Sequence, residues 1–206
     1  TAGQRKVSSI MTDPERKMLM QAFGADALIE CPFTESVREL ESEIFVREIL
    51  VNRMNARALV VGDDFRFGKD RAGDAGLLEK LGKKFGFDVY IMSKIKDGER
   101  EISSTYIREE LLKGNIEKVN ELLGYTYFAE GRVVRGKQLG QELGFPTANI
   151  IPDDSKLLPP NGVYATDTIV NGEAFTSISN IGVRPTVGSE CGNIESHLFD
   201  FDRDIY

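Results

Sequence analysis

Apolar residues recur at helical spacing as far as Gly124, and from Tyr125 onward that periodicity vanishes. This switch constrains the fold more than any single motif, because a 3.6-residue apolar period and a 2-residue one bury different faces and build different layers. Before the switch, helix and strand signals alternate. Thr12-Asp13-Pro14-Glu15 is a capping box with Pro near the helix start, Met18, Leu19, Ala22 and Phe23 share one face, and Gly24 is the stop. Ala27-Leu28-Ile29 reads as a short buried strand, and Ser42 can cap a second helix with the stripe Phe45, Val46, Ile49 and Leu50. Ala58-Leu59-Val60-Val61 is a continuous apolar run of the kind found in a parallel sheet buried on both faces. Leu77, Leu78, Leu81 and Phe85 mark a third helix, and 88–92 is a further strand. Such alternation predicts a doubly wound α/β domain.

Gly114 stops a helix over 109–113, and Asn115 starts another carrying Ile116, Val119, Leu122 and Leu123. Beyond Tyr125 the signals are strand-like: Arg132-Val133-Val134, Val163-Tyr164-Ala165-Thr166, Thr168-Ile169-Val170, 174–179 and 194–201. Asn171-Gly172 is a hairpin signal for a type I′ turn. Pro152, Pro159, Pro160 and Pro185 break the segments between. The expected organisation is therefore an α/β domain over 1–124 and a small antiparallel β-barrel over 125–206.

Gly136, Gly140 and Gly144 stand at four-residue intervals ahead of Phe145-Pro146-Thr147-Ala148-Asn149. Each glycine would cost a helix roughly 1 kcal/mol against Ala, whereas positive φ and close backbone approach suit a loop around an anion. The hydroxyl of Thr147 and the carboxamide of Asn149 are neutral oxygen donors of the kind Mg²⁺ accepts beside substrate phosphates. A Gly-rich surface hairpin is the alternative reading of the same stretch. The segment 131–138 falls one residue short of a P-loop, with Gln138 where Ser or Thr should hold the metal, and a strand runs through the supposed loop.

Two more stretches carry chemistry in the first half. Gly62-Asp63-Asp64-Phe65-Arg66-Phe67-Gly68-Lys69 follows Val60-Val61, where ligands of an open α/β sheet sit. Its aromatics could flank a planar ring while Asp64 accepts hydrogen bonds and Arg66 or Lys69 faces phosphate; alternatively Phe65 and Phe67 plug the core beneath a solvated loop. Ile102-Ser103-Ser104-Thr105-Tyr106-Ile107-Arg108 opens a helix, where hydroxyls, free N–H groups and an Arg make an anion site, or where a hydroxyl merely caps the helix.

In the second half, alternation along Asn193-Ile194-Glu195-Ser196-His197 places Glu195 and His197 on one face. A carboxylate facing a phosphate loop could take a proton from an attacking alcohol, or it is a solvated edge-strand Glu. His197, the only histidine, is read as structural.

The net charge of −7 argues against nucleic acid or an anionic membrane as the main partner, though it leaves room for a small anionic ligand held locally. Cys31 and Cys191 form no CxxC, so neither a disulfide framework nor a zinc site is indicated and a reducing cytoplasm is expected. No apolar run approaches the ~20 residues of a membrane span, and no signal peptide opens the chain. It begins at Thr1 and ends at Tyr206 within a strand-like run, so both ends look cut.

Taken together, Gly62-Asp63-Asp64-Phe65-Arg66-Phe67-Gly68, 102–108, Leu143-Gly144-Phe145-Pro146-Thr147-Ala148-Asn149, Asn180-Ile181-Gly182-Val183-Arg184-Pro185-Thr186 and 195–200 resemble the prokaryotic bifunctional riboflavin kinase/FMN adenylyltransferases, also called FAD synthetases. The motifs occur in family order, and the resemblance covers nearly the whole chain from Thr12. It implies a Rossmann-like nucleotidyltransferase domain followed by a riboflavin kinase-like barrel. It also implies two steps: riboflavin is phosphorylated by ATP to FMN in the barrel, and FMN then attacks the α-phosphate of ATP to give FAD and pyrophosphate. Carried over by position, Thr147 and Asn149 would bind Mg²⁺ and ATP phosphates, and Glu195 would be the catalytic base. Asp64 and Phe65 would contact the flavin of FMN, and Ser104, Thr105 and Arg108 would hold ATP phosphates in adenylylation.

The sequence departs from the family pattern in three places. The first strand and the G-x-F-D-G-x-H-x-G-H loop of the adenylyltransferase half are missing, as are the later barrel strands, an Arg-containing flavin segment and a terminal helix. Tyr106 stands where many members carry Arg. The expectation is that the chain as written does not adenylylate FMN. A flavin or nucleotide binder that has lost catalysis is the alternative; another cytidylyltransferase-like nucleotidyltransferase fused to an unrelated barrel is disfavoured by Thr147, Asn149 and Glu195 together.

Overall fold

The computed structural model describes residues 8–135, 146–183, 192–203 and 205. They form a mixed α/β chain that divides into two compact units, Ala27–Ile102 and Thr1–Asp26 with Ser103–Tyr206.

In the unit Ala27–Ile102, α2 (Glu35–Arg38) precedes α3 (Ser42–Phe45), which runs on into a π-helical turn over Val46–Arg53. Strand β1 (Ala58–Gly62) leads through the short hairpin β2 (Arg66–Phe67) and β3 (Gly73–Asp74) into α4 (Ala75–Phe85) and then β4 (Asp88–Met92), which pairs with β1 in parallel. This is one βαβ crossover. Asp74 starts α4 by accepting a 2.8 Å hydrogen bond from Leu77 N, and Gly86 ends it in the left-handed region. Leu78 and Leu81 of α4 close the core with Val46, Phe67 and Phe87. A second short hairpin, β5 (Lys96–Asp97) and β6 (Arg100–Glu101), completes the unit.

Three expectations are corrected here. Among the described residues β1 has a single strand neighbour, so its burial alternates instead of being two-sided, and Val60 is 68% exposed. Ala27-Leu28-Ile29 forms no strand, because nothing among the described residues pairs with it, and Leu28 and Ile29 stay exposed. Ser42 is the first helical residue rather than the cap, and its Oγ donates to the Phe67 carbonyl at 3.3 Å. Gly68 explains the closeness of that contact: at φ 74 it lies against Ser42, and a Cβ there would fall 2.3 Å from Ser42 Oγ.

In the other unit, α1 (Asp13–Ala22) has the expected capping box, with Thr12 N donating to Glu15 Oε2 at 2.8 Å. Helix α5 (Ser104–Lys113) starts five residues earlier than the sequence reading, and α6 (Ile116–Leu123) follows; Gly114 and Gly124 terminate them. The strands β7 (Gly131–Val134), β8 (Ala148–Pro152), β9 (Gly162–Val170), β10 (Glu173–Val183) and β11 (Gly192–Leu198) make one antiparallel sheet in the order β7-β8-β11-β10-β9. Among the described residues the sheet is open, with β7 and β9 at its edges, since no pairing joins them into a closed barrel. The two strand signals at 163–166 and 168–170 are one strand, and its hairpin with β10 turns on Asn171 (φ 52) and Gly172 (φ 85), the expected I′ geometry.

One face of this sheet buries Ile181, Ile194, Ala148 and Leu198. The same face carries a hydroxyl ladder: Ser179 and Ser196 Oγ lie 2.6 Å apart, and Thr166 bridges Ser177 and Ser179 at 2.8 Å each. Mutual pairing leaves none of these buried hydroxyls unsatisfied, which ties the strands to one register. The opposite face is left for chemistry.

Candidate functional site

On that opposite face, β8 and β11 place Asn149 directly across from Glu195. The row continues to Val134 on β7 and to Asn180 on β10. Directly paired residues on adjacent antiparallel strands project to the same side with Cβ atoms about 5 Å apart, so the carboxamide and the carboxylate share one surface. Asn149 is 5% exposed, while Glu195 is half-buried and open to an incoming molecule. Asn193, two residues before Glu195 and on the same side of β11, donates from Nδ2 to Glu195 Oε1 at 3.1 Å.

Thr147 is the residue just ahead of β8. His197 ties this approach to β11: its Nδ1 lies 2.9 Å from the Pro146 carbonyl, and since a carbonyl only accepts, Nδ1 carries the proton. The Pro146-Thr147 segment therefore stays beside β11 as β8 begins, and the lone histidine anchors backbone. The glycine-rich stretch with Gly136, Gly140 and Gly144, and the motif residues Arg184, Pro185 and Thr186, lie outside the described residues.

The other expected site residues are distributed between the two units. Asp64, exposed at the turn after β1, pairs through Oδ2 with Lys94 Nζ at 3.3 Å. Lys94 also holds Glu101 at 2.9 Å, and the hydrogen bonds to Glu101 and then Asp64 raise its ammonium above the ordinary lysine range. Phe65 stacks on Phe67 with centroids 5.5 Å apart; Phe67 plugs the core and Phe65 is half-buried against it. Lys69 is engaged with Glu39 at 2.9 Å, a hydrogen bond that holds the Glu39 carboxyl below its usual range, and Arg66 donates to the Phe65 carbonyl.

In the unit with the five-stranded sheet, Ser103 is the N-cap of α5, accepting from Tyr106 N at 3.3 Å. Ser104 and Thr105 are the first two helical residues and are exposed, whereas Tyr106 is buried. Arg108 donates from Nε to the Ser8 carbonyl at 3.4 Å. An exposed pair of hydroxyls on the first turn of a ten-residue helix, with a guanidinium one turn further on, is compatible with an anion.

Chemically, the β8/β11 row combines a general-base candidate with neutral oxygens. Among the described residues no group of three or more His, Cys, Asp or Glu could hold a metal ion. A cation there would take its ligands from Thr147, Asn149 and the phosphates of a bound nucleotide, a donor set of hard oxygens that fits Mg²⁺. Sequence reading passed over Asn193; its signal was the Asn-x-Glu spacing on a strand, which puts amide and carboxylate on one side.

The profile of the FAD synthetase family matches residues 1–106, and that of the riboflavin kinase family matches residues 123–206. The bifunctional riboflavin kinase/FMN adenylyltransferase of Escherichia coli K12 is 37% identical over 193 residues, covering 93% of this chain and 61% of the relative. That of Haemophilus influenzae is 35% identical over 205 residues, covering 99% and 66%. The chain thus spans roughly three fifths of the first of these relatives. A crystal structure described as the macrolide-efflux protein of Streptococcus pneumoniae superposes with a TM-score of 0.82 at 30% identity, covering 97% of this chain and 64% of that one.

Proposed function

The chain belongs to the FAD synthetase family, and from that premise we propose that it serves FAD biosynthesis, in which riboflavin is phosphorylated to FMN and the adenylyl group of ATP is then transferred to FMN. The finer architecture follows the same reading: a Rossmann-like nucleotidyltransferase domain over 1–124 and a riboflavin kinase-like barrel over 125–206, in a cytoplasmic protein whose partners are ATP, riboflavin and FMN.

The observation that carries the kinase assignment is the Asn149–Glu195 pair. In this reading the terminal hydroxyl of the ribityl chain lies against Glu195, which takes its proton as the oxygen attacks the γ-phosphorus of ATP. One O–P bond forms, the bond to the β-phosphate oxygen breaks, and ADP departs. Thr147 and Asn149 would hold Mg²⁺ with the phosphates, and the ion when bound supplies charge neutralisation for the transferred group. The half-exposed carboxylate and the buried carboxamide divide the work, one meeting the alcohol and the other fixed in the sheet.

For adenylylation, Ser104, Thr105 and Arg108 at the start of α5 would hold ATP phosphates, and Asp64 with Phe65 would meet the flavin. The efflux activity named for the pneumococcal structure is not carried over, since both matching families act on flavins and no described helix is long and apolar enough to cross a membrane.

The test supplies the protein with riboflavin, ATP and Mg²⁺ and separates FMN from FAD. Glu195→Gln is expected to lower FMN formation at least a hundredfold with riboflavin binding retained, the usual size of a lost general base. Full FMN formation by this variant would remove Glu195 from the reaction.

A further inference from the structure

We infer that Asn193 is a substrate-contacting residue of the phosphorylation site: its Nδ2 orients the Glu195 carboxylate and its Oδ1 accepts a hydrogen bond from a hydroxyl of the polyol substrate. The inference rests on the kinase reading above and adds a residue to it.

The geometry assigns the two ends of the amide. A carboxylate only accepts, so the Asn193 atom 3.1 Å from Glu195 Oε1 is the NH₂ group. Oδ1 must then face another way, and there it is buried with no hydrogen-bond partner among the described residues; Asn193 is 5% exposed. Buried carboxamide oxygens in folded proteins are nearly always satisfied, and one that is not marks a place where a donor arrives later.

The space for that donor is present. The cross-strand partner of Asn193 is Gly182, where a Cβ would meet none of the described residues within 4 Å. The same side of β11 thus offers, in order, an acceptor without a donor and a carboxylate base, two residues apart. A polyol fits that order: one hydroxyl gives its proton to Glu195 while a neighbouring hydroxyl on the same carbon chain donates to Asn193 Oδ1. A ligand without hydroxyls has nothing to offer the amide.

The experiment compares riboflavin with lumiflavin, which has the same ring and no polyol, using flavin fluorescence to measure binding and FMN formation to measure turnover. Asn193→Leu, nearly isosteric and apolar, is expected to melt no lower than the unsubstituted protein without ligand, because it removes an unsatisfied buried acceptor. It is expected to weaken riboflavin binding about tenfold and leave lumiflavin binding unchanged, the size of one lost hydrogen bond. Asn193→Asp keeps the acceptor, so riboflavin binding is expected to persist in this variant. Equal loss for both flavins, or no loss for either, would overturn the inference and leave the kinase reading intact. Failure of the unsubstituted protein to bind riboflavin would overturn both.

Discussion

Lys156 Nζ lies 2.8 Å from Glu15 Oε2, and the two side chains are 2% and 0% exposed. The residues are 141 positions apart, one on the first turn of α1 and the other in the loop before β9. Each charge has further partners. Glu15 accepts from Thr12 N and Glu130 N, and Lys156 donates to the Ile10 carbonyl and sits 4.3 Å above the Tyr127 ring. Burial pulls the Lys156 ammonium below its ordinary range, and the Glu15 carboxylate pulls it back only in part.

Removing one member leaves the other buried and unbalanced. Glu15→Ala should therefore destabilise the unit that contains α1 and the five-stranded sheet by about 3–5 kcal/mol, measured by urea unfolding. Replacing both residues, Glu15→Gln with Lys156→Met, should recover most of that loss, since no lone charge remains. Independent, additive losses in the double variant would show that the pair is not coupled.

Tyr127 makes the alkaline limit of stability predictable. Its hydroxyl donates to the Leu157 carbonyl, and burial, then the charge on Glu15, raises its phenol far above the ordinary 10.0. The folded chain keeps this proton while the unfolded chain releases it near the ordinary value, so the contribution is complete below pH 10 and lost as pH rises beyond it. Unfolding followed by phenolate absorbance should show one tyrosine that ionises only as the protein unfolds. Tyr127→Phe should flatten the alkaline decline; an unchanged decline would place its cause elsewhere.

The hairpin between β9 and β10 offers a backbone test. Gly172 sits at φ 85, where a Cβ is disfavoured by about 1–2 kcal/mol per residue. Gly172→Ala should lower stability by about that amount, and Asn171→Gly should change it little, both read from thermal unfolding. The turn is exposed, so neither substitution should alter flavin binding.

Local signals were the legible part of this fold. The capping box at Thr12 and Glu15, the Asn171-Gly172 turn and the glycine stops at 114 and 124 each depend on a few neighbouring residues and are present in the structure. What the residues could not disclose is set by distant partners. Glu15 reads as a cap, yet it also receives Lys156 from 141 residues further along the chain. Val60 reads as buried on both faces, yet burial depends on how many strands flank β1, and among the described residues one does. Strand β8 was hidden behind the glycine-rich stretch and Pro152, although Ala148 and Ile150 alternate with Asn149 as a strand requires. At the candidate site, the facing of Asn149 and Glu195 is a register fact that two separate motifs imply only through the family resemblance.

The proposed two-step function predicts that the steps separate by mutation. Asn149 is held in β8 opposite Glu195, whereas Asp64 lies in the other compact unit, at the turn after β1. With riboflavin, ATP and Mg²⁺ supplied to the complete protein, Asn149→Ala should abolish FMN formation, because the phosphate and metal lose a fixed oxygen beside the base. Given FMN instead of riboflavin, the same variant should form whatever FAD the unsubstituted protein forms. Asp64→Ala should behave in the opposite sense: FMN accumulates at the normal rate while its conversion to FAD falls. Asp64 is exposed and its partner Lys94 keeps Glu101, so this substitution removes a contact without disturbing the core, and a change in melting temperature beyond a degree or so is not expected. If both variants depressed both products in equal proportion, the two groups of residues would belong to a single site, and the assignment of separate phosphorylation and adenylylation centres would fail.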